Sequence, residues 1–97
     1  MTVFAVEYVF APDSTEARDK HRPAHREWLS GLSGEGKLLT SGPYADGAGA
    51  LLIFSASDET ELNEILKQDP YAGAQAIAGI RTTEWTPVIG LLSGYNA

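Results

Sequence analysis

At 97 residues the chain is sized for one domain, and 1–97 is read as a single unit with one modest core. It is 43% hydrophobic and 21% charged, ordinary for a globular protein, and its lack of cysteine excludes a disulfide framework, a thiolate metal site and a thiolate nucleophile. A net charge of −6 repels phosphate backbones, so nucleic acid is not an expected partner.

Thr2–Phe10 is rich in β-branched and aromatic residues and holds no turn signal, which predicts a strand. Alternation sends Val3, Ala5, Glu7 and Val9 to one face and Phe4, Val6, Tyr8 and Phe10 to the other. Both faces are mostly apolar, as in a central strand covered on both sides. Glu7 is the exception, either a rim carboxylate or a pocket group. The stretch is too short to span a bilayer and lacks the flanks of a leader, so the expectation is a cytoplasmic protein without membrane contact.

Pro12-Asp13-Ser14 is a turn, with Asp13 or Ser14 placed to cap a helix. From Ala17 to Leu32 the residues Ala17, Ala24, Trp28, Leu29 and Leu32 recur at helical spacing, and His21 and His25 extend the stripe. Trp28 is read as core. Pro23 has no N–H to bond back four residues, and its ring crowds that carbonyl. A break or kink is therefore expected near Lys20–Arg22, with Pro23 in the first turn of the main helix. Arg18, Arg22 and Arg26 at i,i+4 spacing read as a solvated face paired with Glu16 and Glu27.

Ser33–Gly36 ends the helix. Lys37–Ser41 and Ala48–Ala56 are expected strands of an antiparallel hairpin around the Gly42–Gly47 loop. Ser57 or Asp58 caps a second helix, with Asp58 and Glu61 at capping-box spacing and Leu62, Ile65 and Leu66 inward. Asp69-Pro70 stops that helix, because a residue before proline avoids helical geometry. Tyr71–Gly79 is rich in small residues and leaves a short helical turn open. Ile80–Val88 is the last expected strand. Leu91-Leu92 in the tail are expected to leave water by covering a partner subunit. The order β-α-β-β-α-β is the ferredoxin-like pattern, an α+β fold with a four-stranded antiparallel sheet and two helices on one face. The other sheet face needs cover, which predicts a homodimer through the sheet faces.

Histidine is the side chain whose ordinary titration lies near neutral pH, and a carboxylate that orients it makes a base of fixed tautomer. Only two histidines exist, and His25 with Asp69 is the first candidate pair. In a first helical turn, His25 would also be disfavoured as imidazolium by the helix dipole. His21 and His25 have the spacing of a metal pair, but Arg22 stands where a zincin carries glutamate, and a third ligand would have to be Asp69 or Glu7. No metal and no cofactor are expected.

Arg22-Pro23-Ala24-His25, the run Gly36-Lys37-Leu38-Leu39-Thr40-Ser41-Gly42-Pro43, and Asp69-Pro70-Tyr71, in this order and spacing, resemble the YciI-like (YCII-related domain) family from the first strand to about Trp85. The resemblance implies a dimeric α+β barrel and an active-site cleft with a His–Asp pair, here His25 and Asp69. One relative is a dehydrochlorinase acting on a chlorinated hydroxymuconate, and the wider superfamily includes muconolactone isomerases and small monooxygenases. Beside the pair, Arg22 could clamp a carboxylate. Ser41 and Gly42 offer a hydroxyl and a backbone N–H, or simply end a strand, and Tyr71 lines the cleft or belongs to the core. The expected function is cofactor-independent lyase or isomerase chemistry on a small anionic organic molecule. The alternatives are a metabolite-binding or sensing module on the same fold, and a purely structural dimeric domain. One departure stands out: relatives carry glycine shortly after Asp-Pro-Tyr/Phe, where this chain has Ala74-Gln75. Gln75 in that place is expected to alter the pocket.

Overall fold

A computed structural model describes residues 1–95, and its organising element is the strand β1 (Thr2–Phe10). There follow α1 (Thr15–Gly34), β2 (Leu38–Pro43), β3 (Gly49–Ala56), α2 (Glu59–Leu66), the four-residue α3 (Pro70–Gly73), β4 (Ile77–Glu84) and a 3-10 turn at Ser93–Tyr95. β1 pairs antiparallel with β3 on one side and β4 on the other, giving the sheet order β2-β3-β1-β4. This is the ferredoxin-like α+β arrangement, with α3 as an addition to the expected order.

The alternation of β1 decides the layering. Phe4, Val6 and Tyr8 turn inward and are buried with Leu52 and Phe54 of β3, Leu38 of β2, Leu32 of α1, and Leu62, Ile65 and Leu66 of α2. Each such fully buried side chain contributes about 1.5–3 kcal/mol by leaving water. The outer sheet face is unevenly covered. Val3, Ile53 and Ser55 are buried, whereas Val9 is 57% and Leu51 38% exposed. Glu7 lies on this outer face, where its carboxylate accepts a 2.7 Å hydrogen bond from the Tyr44 hydroxyl and sits 3.9 Å from Arg81. It is a rim carboxylate.

Gly49 permits the tight pairing of β3 with β1. A Cβ there would overlap the carbonyl oxygen of Tyr8.

Helix α1 departs from expectation. It runs unbroken from Thr15 to Gly34 through Pro23. Proline removes one hydrogen bond, the one to the Asp19 carbonyl. The bonds on either side, and the burial of Leu32 with the packing of Trp28 and Leu29 on the core, hold both halves in one helix. His25 is therefore ten residues past Thr15, in mid-helix, and the dipole effect assigned to a first turn does not reach it. At the start, Ser14 is the N-cap residue but makes no capping bond; its hydroxyl accepts from Arg18 Nε at 3.0 Å. At the end, Gly36 N–H bonds Ser33 O and Lys37 N–H bonds Leu32 O, a Schellman closure with Gly36 at φ 76°.

The second helix starts as its spacing predicts. The Asp58 side chain accepts from Glu61 N–H at 2.8 Å, and the Glu61 carboxylate reaches back to Ser57. The last strand is shifted. It begins at Ile77 and ends at Glu84, because pairing with β1 sets the register: Val9 faces Gly79 and Phe10 faces Ile77 across a bulge. The weak strand-formers Ala78 and Gly79 are carried by that pairing. In the tail, Ile89 and Leu91 are almost wholly exposed in the single chain. Among the described residues, no helix is long and apolar enough to cross a membrane.

Candidate functional site

The centre of the site is a buried carboxylate. Asp69 precedes Pro70, which keeps it extended (φ −65°, ψ 123°) and puts proline at the start of α3. In that geometry Asp69 Oδ1 accepts from the Tyr71 N–H at 2.9 Å, the N-cap bond of α3. The same oxygen lies 2.7 Å from His25 Nδ1, and Oδ2 accepts from the Tyr8 hydroxyl at 2.8 Å. Asp69 is only 1% exposed, so three donors from β1, α1 and α3 answer a charge removed from water. The Tyr8 hydroxyl is pushed well above the ordinary tyrosine range, first by burial and then by the Asp69 charge and hydrogen bond. Tyr8 thus remains a phenol and a donor.

An ionised carboxylate can only accept, so the 2.7 Å contact makes His25 Nδ1 the donor. In the neutral ring the lone pair then sits on Nε2. The ring is held on two sides: it stacks on Tyr71 at 3.9 Å and 8°, and tilts against Trp28 at 6.0 Å. Trp28 belongs to the core, packed on Phe54, and its buried Nε1 has no partner among the described residues.

His25 forms part of the wall of a cavity of about 280 Å³ between α1 and the inner face of the sheet. Arg22, Ser41, Gly42 and Tyr71 share that wall, with Asp69 behind His25. Its apolar part comes from Phe10, Leu29, Pro43, Ala50 and Leu52. Tyr71 proves to be both wall and core, being 4% exposed and edge-on to Phe10 at 6.1 Å.

Three contributors were not anticipated. Arg18 and Arg26 line the cavity together with Arg22, and none of the three pairs with Glu16 or Glu27 among the described residues, although Arg26 is exposed as expected. Arg22 instead bonds Asp19 at 2.7 Å, and chiefly this bond raises its already high affinity for the proton. Arg18 is held by Ser14 and stacks 4.3 Å over the Phe10 ring. The available signal was that the series shares its helical face with His25, three residues beyond Arg22. Tyr8 is the third, and its signal was a polar tip on an otherwise apolar inward face.

Gln75 does not line the cavity. It is exposed and sits at φ 58°, left-handed backbone that glycine adopts freely. The glycine of the family resemblance thus answers a backbone requirement here. His21 is half-buried and away from the wall. Among the described residues, no cluster of three or more His, Cys, Asp or Glu is placed to hold a metal.

The YCII-related domain model matches residues 2–86. No curated protein matches the sequence. Among solved structures, the chain is similar to 5-chloro-2-hydroxyhydroquinone dehydrochlorinase (TftG) from Burkholderia phenoliruptrix AC1100, determined with 2,5-dihydroxybenzoquinone. The TM-score is 0.78 and the identity 24%, over 87% of this chain and 93% of that one. It is also similar to Atu4242 from Agrobacterium tumefaciens (TM-score 0.57, 13% identity, 90% and 93% covered) and to an antibiotic biosynthesis monooxygenase (0.57, 15%, 92% and 100%). At these identities the likeness is one of fold. The dehydrochlorinase is named for a chlorinated aromatic ring, where the family resemblance had suggested a muconate.

Proposed function

The chain belongs to the YCII-related domain family, and on that premise we propose that it is an enzyme moving a proton on a small anionic organic molecule, in a cofactor-independent reaction of lyase or isomerase type. One observation carries the reading: His25 Nδ1 is tied at 2.7 Å to a buried carboxylate, which frees Nε2 on a ring that lines a cavity.

In this mechanism Arg22 with the neighbouring Arg18 and Arg26, the Ser41 hydroxyl and the Gly42 N–H hold the anionic substrate, and the apolar wall excludes water. His25 Nε2 takes the proton. The imidazolium that forms is compensated by Asp69, which Tyr8 and the Tyr71 N–H hold in place. In an elimination the electron pair left on the substrate expels the leaving group, chloride for a chlorinated substrate. In an isomerisation His25 returns the proton to another carbon. The dehydrochlorinase activity of the neighbour named above supports putting chlorinated hydroxyhydroquinones on the test panel, beside muconate- and lactone-type acids. The working unit is a homodimer packed through the outer sheet faces, which would cover Val9 and Leu51.

The test is turnover across that panel, followed by mass spectrometry and chloride release. Wild type is expected to turn over at least one member, and His25→Ala to lose roughly a hundredfold to ten-thousandfold. No turnover by wild type, or undiminished turnover by His25→Ala, overturns the proposal. A non-catalytic metabolite-binding module is the second reading. It is favoured by one observation: among the described residues of the wall, His25 is the one side chain that ordinarily titrates near neutral pH, so a leaving group poorer than chloride has no second group to protonate it. Binding that survives His25→Ala without any product supports that reading.

A further inference from the structure

The chain has a net charge of −6 and four arginines, yet three of those arginines stand on one wall of one cavity. Among the described residues, no carboxylate belongs to that wall. Asp19 answers Arg22 alone, and Asp69 is sealed behind the His25 ring with three donors of its own. Arg18 and Arg26 have no acidic side chain at salt-bridge distance among the described residues. They are eight residues apart, roughly 12 Å along the helix axis at 1.5 Å per residue. Long side chains from both converge on the same 280 Å³ space. A single anionic group needs one guanidinium fork, and one group cannot answer two forks rooted this far apart.

We propose that the cavity recognises a ligand bearing two anionic oxygen groups on a flat, ring-sized apolar frame, one group against Arg18 and the other against Arg26. The substrate class of the proposed enzyme is thereby narrowed from a small anion to a dianion, an inference that rests on the cleft reading above. The size agrees. An apolar cavity of roughly 150 Å³ accepts benzene, so this one holds a six-membered ring with room for two polar substituents. Arg18 is already positioned, with its guanidinium stacked on Phe10 and its Nε held by Ser14. Phe10, Leu29 and Tyr71 supply the faces for the frame. Two cations, one of them already held in place, select against neutral and singly charged rings because each would leave a guanidinium unanswered.

The proposal is tested by calorimetric titration of the whole chain with inert probes. These are benzoate and the three benzene dicarboxylates, which share one frame and differ in the number and spacing of carboxylates. At least one dicarboxylate is expected to bind about tenfold tighter than benzoate, with the advantage shrinking as salt rises. Arg18→Gln and Arg26→Gln should each bring the best dicarboxylate to within about threefold of benzoate measured on the same variant. Equal affinity for benzoate and all three dicarboxylates in wild type overturns the proposal, and so does a preference that survives both substitutions. The wild-type comparison decides alone if a variant fails to fold. Because these probes do not react, a dicarboxylate preference stands even where the substrate panel shows no turnover. Conversely, turnover lost in His25→Ala stands even where the preference is absent.

Discussion

Replacing Tyr8 with phenylalanine removes one hydroxyl and leaves the ring, so it opens no cavity. What it takes away is the 2.8 Å bond to Asp69 Oδ2, leaving a buried charged oxygen without that donor. Such a loss costs about 1–3 kcal/mol, with bonds to charged groups toward the upper end. For a chain of this length, each kcal/mol shifts Tm by roughly 4–8 °C. The difference also depends on pH in a defined sense. Tyr8 in the folded chain binds its proton far more tightly than an ordinary tyrosine, whose pKa is near 10. Its stabilisation is therefore fully present below about pH 10 and is lost as the pH rises above that, because there only the unfolded chain gives up the proton. The slope is at most about 1.4 kcal/mol per pH unit. Urea unfolding of both proteins, followed by far-UV circular dichroism, gives the gap at neutral pH and again above pH 10. We expect a gap of about 2 kcal/mol at neutral pH that narrows by roughly 1 kcal/mol one unit above pH 10. Other alkaline groups titrate in both proteins and cancel. A gap below about 0.5 kcal/mol at neutral pH, or one that stays constant through the alkaline range, refutes the claim that Tyr8 serves the buried carboxylate.

Asp69→Asn should lower kcat on any identified substrate by roughly a hundredfold to ten-thousandfold, since the amide can neither compensate the imidazolium nor enforce the Nδ1–H tautomer. Activity within about threefold of wild type would show that the pair does not act as a unit. Pro23→Ala restores the N–H facing the Asp19 carbonyl and should raise stability by about 1–2 kcal/mol, the gain from mending the helix less the added freedom of the unfolded chain. A neutral or destabilising result would mean that the helix tolerates the proline ring without cost. Gly49→Ala should destabilise by at least about 2 kcal/mol, because its methyl group meets the Tyr8 carbonyl and the β1–β3 pairing must shift. Unchanged denaturation midpoints would show that the two strands have slack there.

The elements were readable in the chain, whereas the ties between them were not. Thr2–Phe10 declared itself because period-two alternation is a local property, and the structure gives that strand the same limits. Pro23 misled because the proline rule weighs one hydrogen bond and says nothing of a helix held along its length by a sheet. The arginine series misled for a related reason. Spacing of i,i+4 tells which side chains are neighbours, but not whether their shared face meets solvent or a cavity. Asp69 was visible as a helix stop and its pairing with His25, 44 residues away, came from the family resemblance, whereas Tyr8, 61 residues away, is a proximity that only the closed sheet creates. Gln75 looked like a pocket substitution because a missing glycine suggests space, when the operative variable was a backbone angle.

Asp69 also makes the site a sensor of its own folding. One side chain joins residue 8, residue 25 and the amide of residue 71, so loop closures over most of the chain precede a complete His25–Asp69–Tyr8 chain of bonds. The segment that presents Asp69 is also the shortest of the α-helices, with four residues. When α3 frays, the base loses its orienting group, and the Tyr71 amide loses its Asp69 acceptor to the same event. Hydrogen exchange at that one amide therefore clocks how often the pair is intact, and it can be read without knowing any substrate.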